Sequence, residues 1–326
     1  MFFKNFKNKL LLVLLATTII IPTSVSAYSN EVILGGENIG IEVKSKGILI
    51  VGFYNVNNSS PGREAGLKIG DIILKVDDTV ISRITDLSNK FQNKSSLKIT
   101  YQRQNEIKTT TLNLVNQNGI YKTGLYVKDS IAGIGTLTFI DPETKRFGAL
   151  GHEILEQSTG SKFEIKDGKI FETNVVSIEK ADRGKVGEKN AIFNEDEVFG
   201  SIDKNHKTGI YGNYTKETNK NDLIEISDEI ETGKAYINTV IKEDKKETFE
   251  INILNIDKEG TTKNILFEIT DKKLLKEGNG IVQGMSGSPI IQNNKLVGAI
   301  THVVIDDPHK GYGILITNML KESEKE

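Results

Sequence analysis

Short apolar runs separated by glycine-bearing or polar turns make up most of the chain, and little of it carries the spacing of an amphipathic helix. Residues 47–53 (Gly-Ile-Leu-Ile-Val-Gly-Phe) read as a buried strand, and 71–76 as a second that turns at Asp77-Asp78. One helix is predicted from Thr85, as its cap, through Asn93. Strands at 97–101 and 109–114 close this first unit, and the polar, turn-rich stretch 116–119 reads as a linker. Beyond it, a strand at 133–140, a turn at Asp141-Pro142-Glu143-Thr144 and a returning strand at 147–150 lead to Gly151-His152. Further strand-like runs follow at 169–178, 235–241 and 248–253. Near the end, Ile290-Ile291 and 296–300 flank Asn293-Asn294, a hairpin signal. The expectation is a mainly β chain with a frayed tail over 321–326.

The N-terminus breaks this pattern. Lys4, Lys7 and Lys9 precede an apolar run over 10–21, followed by Pro22 and Val25-Ser26-Ala27, the layout of a secretory signal cleaved after Ala27. The run is short for a bilayer span, so an anchor retained over 1–27 is the second choice. Among 326 residues there is no cysteine, which removes disulfides, a thiolate nucleophile and a thiolate metal site from consideration. A net charge of −2 gives no basic surface, so no nucleic-acid partner is expected.

The candidate chemistry lies in Gly284-Met285-Ser286-Gly287-Ser288-Pro289. A serine between glycines sits on a turn that a substrate carbonyl can approach, and the N–H groups of Gly284 and Ser286 can converge on a developing oxyanion. Serine needs a base, and the chain has four histidines, His152, His206, His302 and His309. His152 is the candidate, because it ends an apolar strand beside a glycine and precedes the serine. His206 and His309 read as loop residues, and His302 as a possible neighbour of the cleft. The carboxylate that would orient the base is open: Asp271 stands 15 residues before Ser286 but equally suits a helix cap, and Asp141, Asp167, Asp182 and Asp196 are alternatives. Thr301 can place a hydroxyl beside the base or against Asp271. No metal or other cofactor is called for.

These stretches carry resemblances. The serine turn running into a hairpin, with the histidine upstream, resembles trypsin-like proteases. Residues 60–73, Ser-Pro-Gly-Arg-Glu-Ala-Gly-Leu-Lys-Ile-Gly-Asp-Ile-Ile, are similar to PDZ domains attached to bacterial proteases, which implies a peptide-binding loop at Ile39-Gly40-Ile41. In combination, the signal or anchor over 1–27, a PDZ-like unit at 31–115, Gly148-Ala149-Leu150-Gly151-His152, the serine turn, Thr301-His302-Val303 and Gly311-Tyr312-Gly313 resemble the SpoIVB peptidases of spore-forming bacteria. The resemblance implies a trypsin-like double β-barrel serine peptidase domain over 120–320, with Ser286 as nucleophile, His152 as base and Asp271 as acid.

It further implies a self-processing enzyme exported to the space between the forespore membranes. There it would cleave a membrane-associated regulator of the intramembrane protease that activates the mother-cell sigma factor. Its partners would be that protein substrate and its own N-terminal segment, which would also give any membrane association. The alternative is an exported, non-catalytic PDZ adaptor with a protease-derived body. A lipase-like α/β-hydrolase is excluded by the missing strand and helix alternation.

Overall fold

The computed structural model describes residues 29–91 and 94–325. The predicted signal or anchor lies outside them, as does part of the predicted helical stretch at 92–93. Among the described residues, no helix is long and apolar enough to cross a membrane.

Two six-stranded antiparallel barrels dominate. The first closes in the order Asn38–Phe53, Leu125–Ile140, Arg146–Ala149, Gly209–Tyr214, Gly187–His206, Ile165–Glu179 and back to Asn38–Phe53. The second closes through Gly233–Val240, Lys246–Ile256, Ile265–Ile269, Lys310–Leu315, Lys295–Val303 and Pro289–Gln292. Alternation dictates each interior, because side chains at every second position share one face of a strand. In Ile265–Ile269 the two polar-side positions, Leu266 and Glu268, are half-buried, while Ile265, Phe267 and Ile269 point into the second core with Ile237, Phe249 and Ile290. Ile39, Ile41, Leu137, Phe147 and Ile202 fill the first core. A third cluster, Phe139 and Tyr211 with Leu296, Ala299, Ile314 and Met319, seals the seam between the barrels.

A third unit grows from the first barrel without a break, because the strand Asn38–Phe53 continues past it. Its far half pairs with Ile72–Val76, which leads on to Ser96–Arg103 and Glu106–Asn113. The helix Ile84–Asn89 covers this sheet through Leu87. The stretch expected as a linker is the turn of a small hairpin, Val115–Gln117 with Ile120–Lys122; Asn118 and Gly119 take positive φ at its tip. The tail is also firmer than expected. Helix Ile316–Ser323 runs into it, and Glu322 bonds Lys204 (2.9 Å) and Lys325 (3.1 Å).

In the third unit, the Gly70-Asp71 pair of the PDZ-like segment has a structural task. The Asp71 carboxylate is buried, accepts the Lys68 N–H (2.8 Å) and takes both Nε and Nη2 of Arg103 (2.7 Å each). Arg103→Ala leaves that carboxylate without its cation, and urea unfolding is expected to show a loss of about 3 kcal/mol; a loss within experimental error would refute the assignment.

Candidate active site

The serine turn joins Val282–Gln283 to Pro289–Gln292. Gly284 and Gly287 take φ of +95° and +94°, a region that a β-carbon disfavours. At Gly287 space excludes a side chain as well, since a β-carbon would lie 2.1 Å from the Thr136 carbonyl oxygen and 2.5 Å from the Leu150 nitrogen. The turn of one barrel is therefore pressed directly onto the backbone that leads to His152.

Hydrogen bonds from the strand Leu125–Ile140 fix it there. Thr136 Oγ1 donates to the Gly284 carbonyl (2.7 Å), Thr136 N to the Ser286 carbonyl (2.9 Å) and Thr138 Oγ1 to the Gly287 carbonyl (2.8 Å). Within the turn, Met285 N donates to the Val282 carbonyl and Ser288 N to the Met285 carbonyl. The N–H groups of Gly284 and Ser286 donate to nothing among the described residues. These are the two donors expected to face an oxyanion. From Gly284 to Ile290, Ser286 alone is not buried.

His152 is delivered by two successive residues with positive φ, Leu150 (+68°) and Gly151 (+70°), which end the strand Arg146–Ala149 abruptly. A β-carbon at Gly151 would sit 2.8 Å from Thr301 Cγ2, so this bend rests on the strand Lys295–Val303. Ser286 Oγ donates to the Thr301 carbonyl (3.0 Å). The His152 ring lies against that of His302, with centroids 5.2 Å apart at 44°. Ser286 and His152 thus converge on Thr301-His302. The Thr301 hydroxyl, expected beside the base or Asp271, donates to the Tyr312 carbonyl instead (3.0 Å).

His152 Nδ1 is 2.8 Å from the Glu153 carbonyl oxygen. A neutral ring satisfies that acceptor only with its proton on Nδ1, which leaves the Nε2 lone pair available. Burial lowers the His152 pKa below its usual 6.5, against the opposing pull of the Glu153 carbonyl and carboxylate. Burial, with the charges of His152 and Lys263, pushes His302 down to about 4. Both rings are consequently neutral at physiological pH.

Two expectations need correction. Asp271 is not brought to His152: it is the N-cap of the helix Lys272–Gly278, where its Oδ1 accepts Lys273 N (2.8 Å) and Leu274 N (3.0 Å). The backbone carbonyl of Glu153 occupies the orienting position instead. Ile39-Gly40-Ile41 is not an open peptide-binding loop. It lies mid-barrel, paired on one edge with residues 133–135 and on the other with 170–172, and a β-carbon on Gly40 would meet the Phe171 ring at 2.1 Å. With both edges occupied, no β-addition can occur there. Thr136 and Thr138 escaped the sequence reading, since a Thr-x-Thr repeat is ordinary in a strand and only the fold shows which carbonyls it meets.

The comparisons with known proteins follow this division of the chain. The family described as SpoIVB peptidase S55 matches residues 119–320, and the PDZ domain family matches 38–114. A "Serine protease Do-like HtrA" of Lactococcus lactis subsp. lactis is 36% identical over 64 residues, 19% of this chain and 16% of that protein, so the chain spans about a sixth of this relative. Among solved structures, the PDZ domain of the SdrC-like protein from Listeria monocytogenes aligns over 26% of this chain and 90% of its own, at 18% identity and a TM-score of 0.22. An inactive mutant of Rv3671c from M. tuberculosis H37Rv aligns over 58% of this chain and 80% of its own, at 15% identity and a TM-score of 0.30. The peptidase match spans more than half of the sequence, and the chain belongs to the SpoIVB peptidase S55 family, a serine peptidase that carries a PDZ domain.

Proposed function

We propose that the protein is an exported, self-processing serine endopeptidase in which Ser286 is the nucleophile, His152 the general base, and the Gly284 and Ser286 N–H groups the oxyanion site. The observation that carries this reading is the serine on a turn with two unbonded N–H groups, packed through Gly287 against the backbone that leads to an imidazole whose Nε2 is free to accept a proton. In the resting molecule the hydroxyl is parked on the Thr301 carbonyl. Rotation about the Ser286 Cα–Cβ bond frees it for His152, which takes the proton as Oγ attacks the peptide carbonyl carbon. The oxyanion forms between the two N–H groups. His152 then returns the proton to the departing amine, and water repeats the sequence to release the acyl group.

The biological role we assign is that implied by the SpoIVB resemblance. Export through residues 1–27 would place the enzyme between the forespore membranes, where it would cut its own N-terminal segment and a membrane-associated regulator of an intramembrane protease. Family membership supports this role. Ser29 Oγ donates to Asp141 (2.7 Å), and Glu31–Leu34 pairs with strands of the peptidase unit.

Ser286→Ala should lower peptide cleavage by roughly four orders of magnitude or more and abolish fluorophosphonate labelling, while thermal unfolding stays within a few degrees of wild type. Cleavage at the wild-type rate by the alanine variant would end the assignment. Because the His152 pKa lies below 6.5 and the base must be neutral, the acid limb of kcat/KM is expected to be centred below pH 6.5. An acid limb centred at or above pH 7 would contradict this. The depressed His302 pKa also has a stability consequence. Between about pH 6.5 and 4 the unfolded chain binds the proton that the folded chain refuses, so stability is lost as pH falls through that window. Chemical denaturation at pH 7 and pH 4.5 should show the loss reduced in His302→Asn.

A further inference from the structure

Lys189, on the strand Gly187–His206, is only 2% exposed, and no carboxylate is bonded to it. Burying an ammonium without a counter-ion is costly, and an apolar side chain of equal length would fill the same volume without that cost. Its three partners come from three separate parts of the fold. Nζ donates to Asn38 Oδ1 at the start of the strand Asn38–Phe53 (2.8 Å), to Thr239 Oγ1 in the second barrel (3.1 Å) and to the Gly284 carbonyl in the serine turn (3.4 Å). The stem of the side chain underlies the same turn, since a β-carbon at Gly284 would lie 3.0 Å from Lys189 Cδ. The backbone just before the lysine is tied in as well, with Gly187 and Glu188 pairing in parallel with Val282 and Gln283.

We propose that Lys189 is a positioning residue of the oxyanion site: with the Thr136 hydroxyl it holds the Gly284 carbonyl inward, so that the flanking Gly284 and Ser286 N–H groups stay turned to the cleft. A peptide plane has its carbonyl and N–H on opposite sides. Clamping the Gly284–Met285 plane from below, with Met285 N bonded to the Val282 carbonyl, sets the orientation of the planes on either side. Without the clamp, the turn can rotate its N–H groups away from the cleft, and the cost falls on the transition state, where the oxyanion exists.

An ammonium has three donors, and the site supplies three acceptors. The charged groups around it are otherwise engaged or turned away. Glu37 pairs with Lys246 (2.6 Å), Glu188 is exposed, His152 is bonded to Glu153, and the near part of Gly233–Val240 offers only Asn238 and Thr239. Burial alone brings the Lys189 pKa down to about 7. Loss of the proton leaves two donors for three acceptors, and the longest bond, to Gly284, is the one expected to weaken. The clamp is therefore present below this pKa and relaxes as pH rises through it.

This inference rests on the reading of Gly284 and Ser286 as oxyanion donors, and the test separates the two. The rate of Ser286 labelling by a fluorophosphonate probe, whose phosphoryl oxygen must enter the oxyanion site, is measured from pH 5 to 10 on the full chain for wild type and Lys189→Met. Peptide kinetics and thermal unfolding accompany it. The wild-type rate should rise through the acid limb and decline above about pH 7. Lys189→Met should react roughly tenfold or more slowly at pH 7, with kcat lowered more than KM is raised, no alkaline decline, and a Tm no lower than wild type. Labelling of Lys189→Met within twofold of wild type overturns the proposal. If that variant does not fold, the wild-type profile decides alone, and a rate that does not decline up to pH 9 overturns it. Absence of label on wild-type Ser286 would instead overturn the nucleophile assignment, and this one with it.

Discussion

The hydrogen bonds that Thr136 and Thr138 send across the seam to the Gly284, Ser286 and Gly287 carbonyls are the constraint on which the active site depends. The serine turn belongs to the second barrel and the histidine to the first, so nothing local holds them in register. What does so is a single strand, Leu125–Ile140, whose threonines reach the turn and whose backbone pairs with the strand that leads to His152. Gly287 completes the fit, because a close approach of two backbones is possible only without a side chain between them.

The same strand joins the PDZ unit to the chemistry. Its first residues, 125–128, pair with 49–53 in the sheet of that unit, and its last reach the serine turn. The strand Asn38–Phe53 makes the same crossing antiparallel to it, with Asn38 beside Lys189 and its far end in the PDZ sheet. Two continuous β-strands, and not a flexible connector, thus carry the chain between its two family domains. Their register is fixed, since a paired strand cannot slip by one residue without reversing its buried face.

Electrostatics in the site follow from dryness. Three groups that would ordinarily hold or gain a proton near neutrality, His152, His302 and Lys189, all have their pKa values driven down by burial. For the histidines this keeps both rings neutral, and the Glu153 carbonyl fixes the tautomer of His152. For the lysine it brings the titration of the proposed clamp down to about 7.

Alternation of apolar and polar positions was enough to mark a mainly β chain, and turn chemistry located the Asn293-Asn294 hairpin, the Asp77-Asp78 turn and the serine between glycines, because these are local properties of backbone and side chain. Sequence also singled out His152 and Ser286, whose residue types and setting have few other uses. It did not decide between cap and acid for Asp271, and it misplaced Ile39-Gly40-Ile41, since a short apolar strand looks the same whether its edges are free or paired. The threonine donors and the buried lysine belonged wholly to tertiary structure. Each acts on an atom brought to it from another element, many of them more than a hundred residues away, and no pattern along the chain records which backbone carbonyls will meet.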